Sequence, residues 1–210
     1  FDQEMKRRGH RIVRYADDIL ILCRSESAAH HARAIATAVL EGPLCLTVNV
    51  DKTHVTHAAR GVKFLGVEIG NRWTRIQWKK VTAFKAKVKR ITRRNSPVNL
   101  ARVIAELHPV LRGFANYFQM ANCRKVFTGL MSWIRRRLRA KQLALWKKPR
   151  RLHRRLRQLG YGGDFPKMRM RRWRSSRSPQ ASYSMPNAWF AAQGLFDMAA
   201  VKIGVLPDVV

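Results

Sequence analysis

Asp17 and Asp18 stand side by side between two short apolar runs, Ile12-Val13 before them and Ile19-Leu20-Ile21-Leu22 after. Two adjacent carboxylates repel, and one is driven toward protonation unless a cation sits beside it. Oxygen-only ligands suit Mg²⁺, which takes one or two carboxylates and completes its shell with water and phosphate. Paired ions of this kind clamp an in-line phosphoryl transfer. Asp is also an ordinary turn residue, so the bare pair leaves metal binding and turn chemistry both open. The second concentration of chemistry is cationic. Between positions 135 and 157 lie Arg135, Arg136, Arg137, Arg139, Lys141, Lys147, Lys148, Arg150, Arg151, Arg154, Arg155 and Arg157, with no acid among them. Like charges at this density destabilise a compact state unless a polyanion neutralises them, and nucleic acid is the first candidate.

The elements that must hold these residues follow from the pattern. Residues 11–15 and 19–23 are two β-type runs with only Ala16-Asp17-Asp18 between them, a hairpin with acids at its tip. Phe1 and Met5 mark an amphipathic helix ahead of it. Ser27 is placed to cap a helix running to about Leu40, which Gly42-Pro43 stops. Leu44, Leu46, Val48 and Val50 alternate as in a strand. Residues 62–69 and 72–78 form a second hairpin around Gly70-Asn71. After Trp78 the period changes: Val81, Phe84, Val88 and Ile91 share one helical stripe. A second helix spans about 99–121 with Pro109 as a kink, and Val126, Leu130, Ile134 and Leu138 define a third, which Pro149 breaks. Gly160-Tyr161-Gly162-Gly163 reads as a loop, 171–186 as irregular, and 187–201 as a last helix. The fold class is α+β, a small mixed or antiparallel sheet followed by helices.

Composition divides the chain at the same place. Residues 1–70 carry ten Lys/Arg against eight Asp/Glu, whereas 71–210 carry 33 against four, within a formal net charge of +31. The first part reads like a segment of any α/β enzyme; the second calls for a polyanion. No stretch approaches the roughly 20 apolar residues of a membrane span. Cys23, Cys45 and Cys123 are too scattered for a zinc cage or a disulfide framework and fit a reducing, cytoplasmic setting. His54-x-x-His57 lies in a strand-like stretch whose i, i+3 side chains diverge. The six tryptophans either stack on bases or pack in the core. Trp133 is expected in the core, with both readings open for Trp173. With no initiator Met at its start, the chain is expected to be a fragment or a processed piece.

The residues around the acidic pair are more specific. Arg8-Gly9-His10-Arg11-Ile12-Val13-Arg14-Tyr15-Ala16-Asp17-Asp18 resembles the active-site hairpin of group II intron reverse transcriptases. Asn49-Val50-Asp51-Lys52-Thr53 resembles their NxxKT/S motif, and Phe64-Leu65-Gly66 their primer-grip segment. Leu111 to Phe118 and Trp133 to Leu138 resemble the thumb or maturase (X) region. Arg177-Ser178-Pro179, Asn187-Ala188-Trp189 and Gln193-Gly194-Leu195 resemble the family's C-terminal stretch. The resemblance implies an end-of-palm domain over 1–80, a helical thumb/maturase domain over 81–165 and a basic C-terminal segment over 166–210. It implies RNA-directed DNA synthesis in the full-length protein, using Mg²⁺, dNTPs and a primer on an RNA template, and intron RNA binding that assists splicing.

Within that resemblance Asp17 is a catalytic metal ligand, and Asp18 a weaker ligand or hydrogen-bond partner. Tyr15 and Ala16 help position nucleotide and primer, Lys52 lies near the nucleotide or holds the palm hairpins, and Phe64, Leu65 and Gly66 position the primer end. The family also uses an aspartate on an earlier palm strand. Asp2, only fifteen residues before Asp17 and on a helix, does not match it, so the chain alone is expected to be inactive as a polymerase. The rival readings are an RNA-binding splicing factor or remnant without activity, and a reverse transcriptase of another lineage.

Overall fold

The computed structural model describes residues 1–161 and 175–204, which fall into two compact units, Phe1–Gln77 and Trp78–Val210. The first holds helix α1 (Asp2–Arg7), strands β1 (Arg11–Tyr15) and β2 (Asp18–Leu22), helix α2 (Glu26–Glu41), and strands β3 (Val62–Phe64), β4 (Val67–Ile69) and β5 (Thr74–Ile76). The strands make two antiparallel sheets, the hairpin β1-β2 and the meander β3-β4-β5. Met5 of α1 is fully buried. The α2 cap is Ser25, whose hydroxyl accepts from the Ala28 N–H at 3.2 Å. It replaces the expected Ser27, because only Ser25 stands three residues before an unsatisfied first-turn N–H.

Two further expectations are corrected. Residues 44–50 form no strand: Leu44, Leu46 and Val50 are exposed, and Val48 N–H donates to the Glu41 side chain instead. Alternation alone does not make a strand where no neighbouring strand takes the backbone groups. The second hairpin is a three-stranded meander, because the chain already reverses at Leu65-Gly66, where φ is 48° and 79°. Positive φ at both central residues is the tight primed turn that matches strand twist.

The second unit is helical: α3 (Trp78–Ile91), α4 (Leu100–Phe118), α5 (Arg124–Trp146), α6 (Pro149–Gln158), α7 (Pro179–Ser184) and α8 (Asn187–Ala192). Asn99 caps α4 by accepting from Arg102 N–H at 2.9 Å, and α4 runs on through Pro109. The expected stripe is present. Val81, Phe84 and Val88 meet Leu107, Leu111, Phe118, Phe127, Leu130, Ile134 and Leu138 in the core, each large side chain worth about 1.5–3 kcal/mol when fully buried. Phe84 and Phe114 stack with centroids 4.1 Å apart.

Residues 179–184, read as irregular from sequence, are helix α7: Ser178 caps it and Pro179 occupies its first turn. The last helix ends at Ala192 rather than near 201. Gly194 takes φ 82°, and Leu195 N–H reaches back to Phe190 O, the Schellman arrangement that closes a helix. Residues 175–204 pack back onto the helices, with Met185, Phe190 and Met198 fully buried. Gly162, Gly163, Trp173 and the 171–174 part of the expected irregular stretch lie outside the described residues.

Candidate metal centre and nucleic-acid interface

β1 and β2 pair in register from Arg11 with Leu22 to Tyr15 with Asp18, so Ala16 and Asp17 are the two residues of the turn. Ala16 sits at φ 53°, a conformation that costs a side-chain-bearing residue about 1–2 kcal/mol. Asp17 and Asp18 are both exposed, and Tyr15 is 66% exposed beside them. Arg14 braces the hairpin from behind. Its guanidinium donates to both carboxylate oxygens of Asp2, at 2.8 and 3.0 Å, and to the Ala16 carbonyl at 3.3 Å. That guanidinium holds the Asp2 carboxyl below its usual range. Asp2 is thus tied to α1 and β1 as a brace for the turn. Among the described residues no third His, Cys, Asp or Glu joins Asp17 and Asp18. Two exposed carboxylates are a fitting donor set for one Mg²⁺ that keeps much of its water.

The other residues expected at this site stand on separate elements. Lys52 is exposed in a turn organised by Asn49, whose side-chain oxygen accepts from Lys52 N–H at 3.1 Å while its carbonyl accepts from Thr53 Oγ1 at 2.8 Å. Asn49 is the positioning residue that a reading centred on Lys52 overlooks; an Asn opening a turn is its signal. Phe64, Leu65 and Gly66 form the β3-β4 turn, with Gly66 buried and its carbonyl accepting from Gln77 N–H at 3.0 Å. His57 caps a short 3₁₀ turn through Nδ1, accepting from Ala59 N–H at 3.2 Å.

The basic run divides by direction. Lys141, expected on the RNA-binding face, is fully buried, and its ammonium donates to Arg93 O at 3.1 Å and Ser96 O at 3.0 Å. Burial lowers its pKa. Arg137 donates through Nε to Thr92 Oγ1 at 2.6 Å and lies over the Trp133 ring, half-burying it. Arg139 donates to Met185 O at 3.0 Å and to Asn187 Oδ1 at 3.2 Å. Arg135, 15% exposed, pairs with Asp197 at 2.8 Å. These four cations tie α5 to the α3–α4 connection and to the segment around α7 and α8; of them only Lys141 is fully buried, whereas Arg135, Arg137 and Arg139 stay partly exposed. The signal was there for Lys141, which follows Ile134 and Leu138 at +7 and +3 on the apolar stripe.

The remaining cations face out. Lys148, Arg150, Arg151, Arg154 and Arg157 are exposed, as is Lys147 at the α5 C-cap; Arg136 and Arg155 are half-exposed. The two carboxylates among the described residues of this unit, Glu106 and Asp197, pair with Arg102 and Arg135. No described acid is left to offset α6. Trp146, Arg151, Arg154, Arg155 and Gln158 line an open pocket of about 260 Å³ on its solvent side. Cys123 is buried, and burial pushes its thiol up to about 11, which keeps it protonated and inert.

Comparison with known families places two domains on this frame. Residues 1–69 match the model of the reverse transcriptase (RNA-dependent DNA polymerase) domain. Residues 81–161 match that of the group II intron, maturase-specific domain. Among curated proteins the chain has no significant match.

Proposed function

Because the chain belongs to the group II intron reverse transcriptase/maturase family, with a polymerase domain followed by a maturase-specific domain, we propose that its helical unit binds structured intron RNA through α6 and the end of α5. The observation that carries this reading is the uncompensated outward charge of α6: five arginines in ten residues, with both described carboxylates of the unit engaged elsewhere. Such a surface gains by displacing the counterions that crowd a phosphate backbone. A filter-binding titration of the 210-residue chain on structured RNA tests it. Affinity should fall steeply and linearly in log–log form as salt rises; a flat dependence, or no binding, refutes the reading.

For the hairpin, we propose that Asp17 and Asp18 contribute carboxylates to the Mg²⁺ site of RNA-directed DNA synthesis. When bound, the ion would neutralise charge on the transferred phosphoryl group. The chain's own contribution is positional: the Ala16 turn projects both acids into solvent, and Arg14 holds the turn against α1. Lys52 and the Leu65-Gly66 turn fit roles beside the nucleotide and the primer end, and their place on separate elements makes those roles dependent on how the palm is assembled. With two carboxylates and no third group beside them among the described residues, these residues hold one ion rather than the pair that clamps the reaction. The 210-residue chain is accordingly expected not to extend a primer on an RNA template. Mn²⁺ used as a paramagnetic probe should broaden the amide signals of residues 15–19 in the parent and not in Asp17→Asn. Equal broadening in both would remove Asp17 as a ligand, and template-dependent synthesis abolished by Asp17→Ala would overturn the expected inactivity.

A further inference from the structure

The pocket on α6 has a composition that phosphate neutralisation does not explain. Arg151, Arg154, Arg155 and Gln158 lie at i, i+3, i+4 and i+7, one solvent-facing stripe of α6, and Trp146 at the end of α5 closes the stripe on one side. Leu152 and Leu156 turn to the buried face, so packing α6 against the core does not call for the exposed Arg151, Arg154 and Gln158. Arg155 also lies 5.9 Å from the Trp189 ring centroid, which links the pocket to α8. Three guanidiniums, one amide and one indole, with no carboxylate, select a ligand that is anionic at one end and offers a flat π-surface at the other.

At about 260 Å³ the pocket lies just below the usual range for small-molecule sites, roughly 300–1,000 Å³. It suits one nucleotide rather than an extended segment. Inside a duplex each base is covered on both faces by its neighbours. An indole in a pocket can therefore stack only on a base that is bulged, looped or flipped out. Gln158 adds a donor and an acceptor within reach of a base edge.

We propose that this pocket takes a single unpaired nucleotide of the bound RNA. Trp146 stacks on its base, while Arg151, Arg154 and Arg155 hold the adjoining phosphates. The inference rests on the RNA-binding reading above and sharpens it: the α6 surface reads an interruption in RNA structure as well as charge. The division of labour is physical. Outward arginines away from the pocket, such as Arg150 and Arg157, contribute the same to any RNA, whereas the indole contributes only where a base face is available.

The test uses the 210-residue chain and two probes, a perfect RNA duplex and the same duplex carrying one unpaired 2-aminopurine nucleotide. The parent should bind the bulged RNA more tightly and quench its 2-aminopurine emission. Trp146→Leu should weaken bulged-RNA binding by on the order of 5- to 150-fold, the range for one lost base–aromatic stack. Duplex affinity should stay within about twofold, because phosphate contacts are untouched. Trp146→Phe, which keeps an aromatic face, should retain most of the preference and the quench. Equal loss on both RNAs would make Trp146 a packing residue and overturn the proposal, as would a preference that survives Trp146→Leu. An acidic peptide that binds the parent as well as the bulged RNA does, and loses affinity equally in Trp146→Leu, would assign the pocket to a protein partner and overturn it too. Salt-dependent RNA binding without a bulge preference defeats this inference alone, whereas no RNA binding by the parent defeats the RNA-binding reading along with it.

Discussion

Replacing Arg150, Arg151, Arg154 and Arg157 together by Gln should separate RNA affinity from folding, because all four are exposed and none belongs to the internal network of α5. Each lost phosphate contact removes about 0.7 (single strand) to 0.9 (duplex) from the slope of log K against log salt, so four contacts remove roughly 2.8–3.6. Between about 50 and 200 mM salt this is on the order of a 50- to 150-fold difference in how much affinity is lost. The contrasting set is Arg135→Gln with Arg139→Gln, which breaks the Asp197 pair and the bonds to Met185 O and Asn187. Those two should cost about 1–3 kcal/mol each in stability and leave the salt slope of the folded protein close to that of the parent. The assays are a fluorescence titration at four salt concentrations and urea unfolding, on parent and both variants. If the inward set flattens the slope, or the outward set leaves it unchanged, the division of the basic run by direction is wrong.

Gly70→Ala should destabilise the first unit by about 1–3 kcal/mol as an overpacked site, since an added Cβ would clash with Cε2 and Nε1 of the Trp73 ring; urea unfolding followed by Trp fluorescence measures it. Ala16→Gly should stabilise the hairpin by about 1 kcal/mol, because the turn holds an alanine at φ 53°; slower hydrogen exchange at the β1-β2 amides is the readout, and no change would mean that the turn carries no strain. The bonds to Arg14 lower the carboxyl of Asp2, and those to Arg7 and Arg8 bring Glu4 to about 2. Depressed folded values stabilise above the unfolded ones. The α1 contribution should therefore be complete above about pH 4.5 and fade as pH falls toward 2, seen as fraying of α1 amide signals.

Much of this arrangement was legible in the residues. Ala16-Asp17-Asp18 between two apolar runs read as a tight reversal, although Asp18 proves to belong to β2; Pro149 had to separate α5 from α6, and the start of α4 at about Asn99 was expected. The failures have physical causes. Leu65 adopts a left-handed conformation that its side chain does not advertise, so only Gly66 hinted at the turn that makes a meander of the second hairpin. Leu44, Leu46 and Val50 alternate faithfully, yet backbone pairing is a long-range event that alternation cannot supply. Arg135, Arg137 and Arg139 look the same in composition as Arg150, Arg151 and Arg154. Their direction depends on acceptors 45 to 62 residues away in the chain, as with Thr92 and Asp197. A run of charge states how much positive potential a segment carries, and only the fold states where it points.

The inward cations have a practical corollary for handling the protein. Lys141 itself is fully buried and its bonds to Arg93 O and Ser96 O are part-buried, and screening by mobile ions acts mainly on exposed charge. Raising ionic strength therefore leaves this strut intact while it quiets the mutual repulsion of the bare α6 arginines. Thermal stability of the RNA-free protein and its grip on RNA should move in opposite directions along one salt gradient. A concentrated salt wash would then recover the helical unit stripped of RNA and more heat-resistant than at low ionic strength.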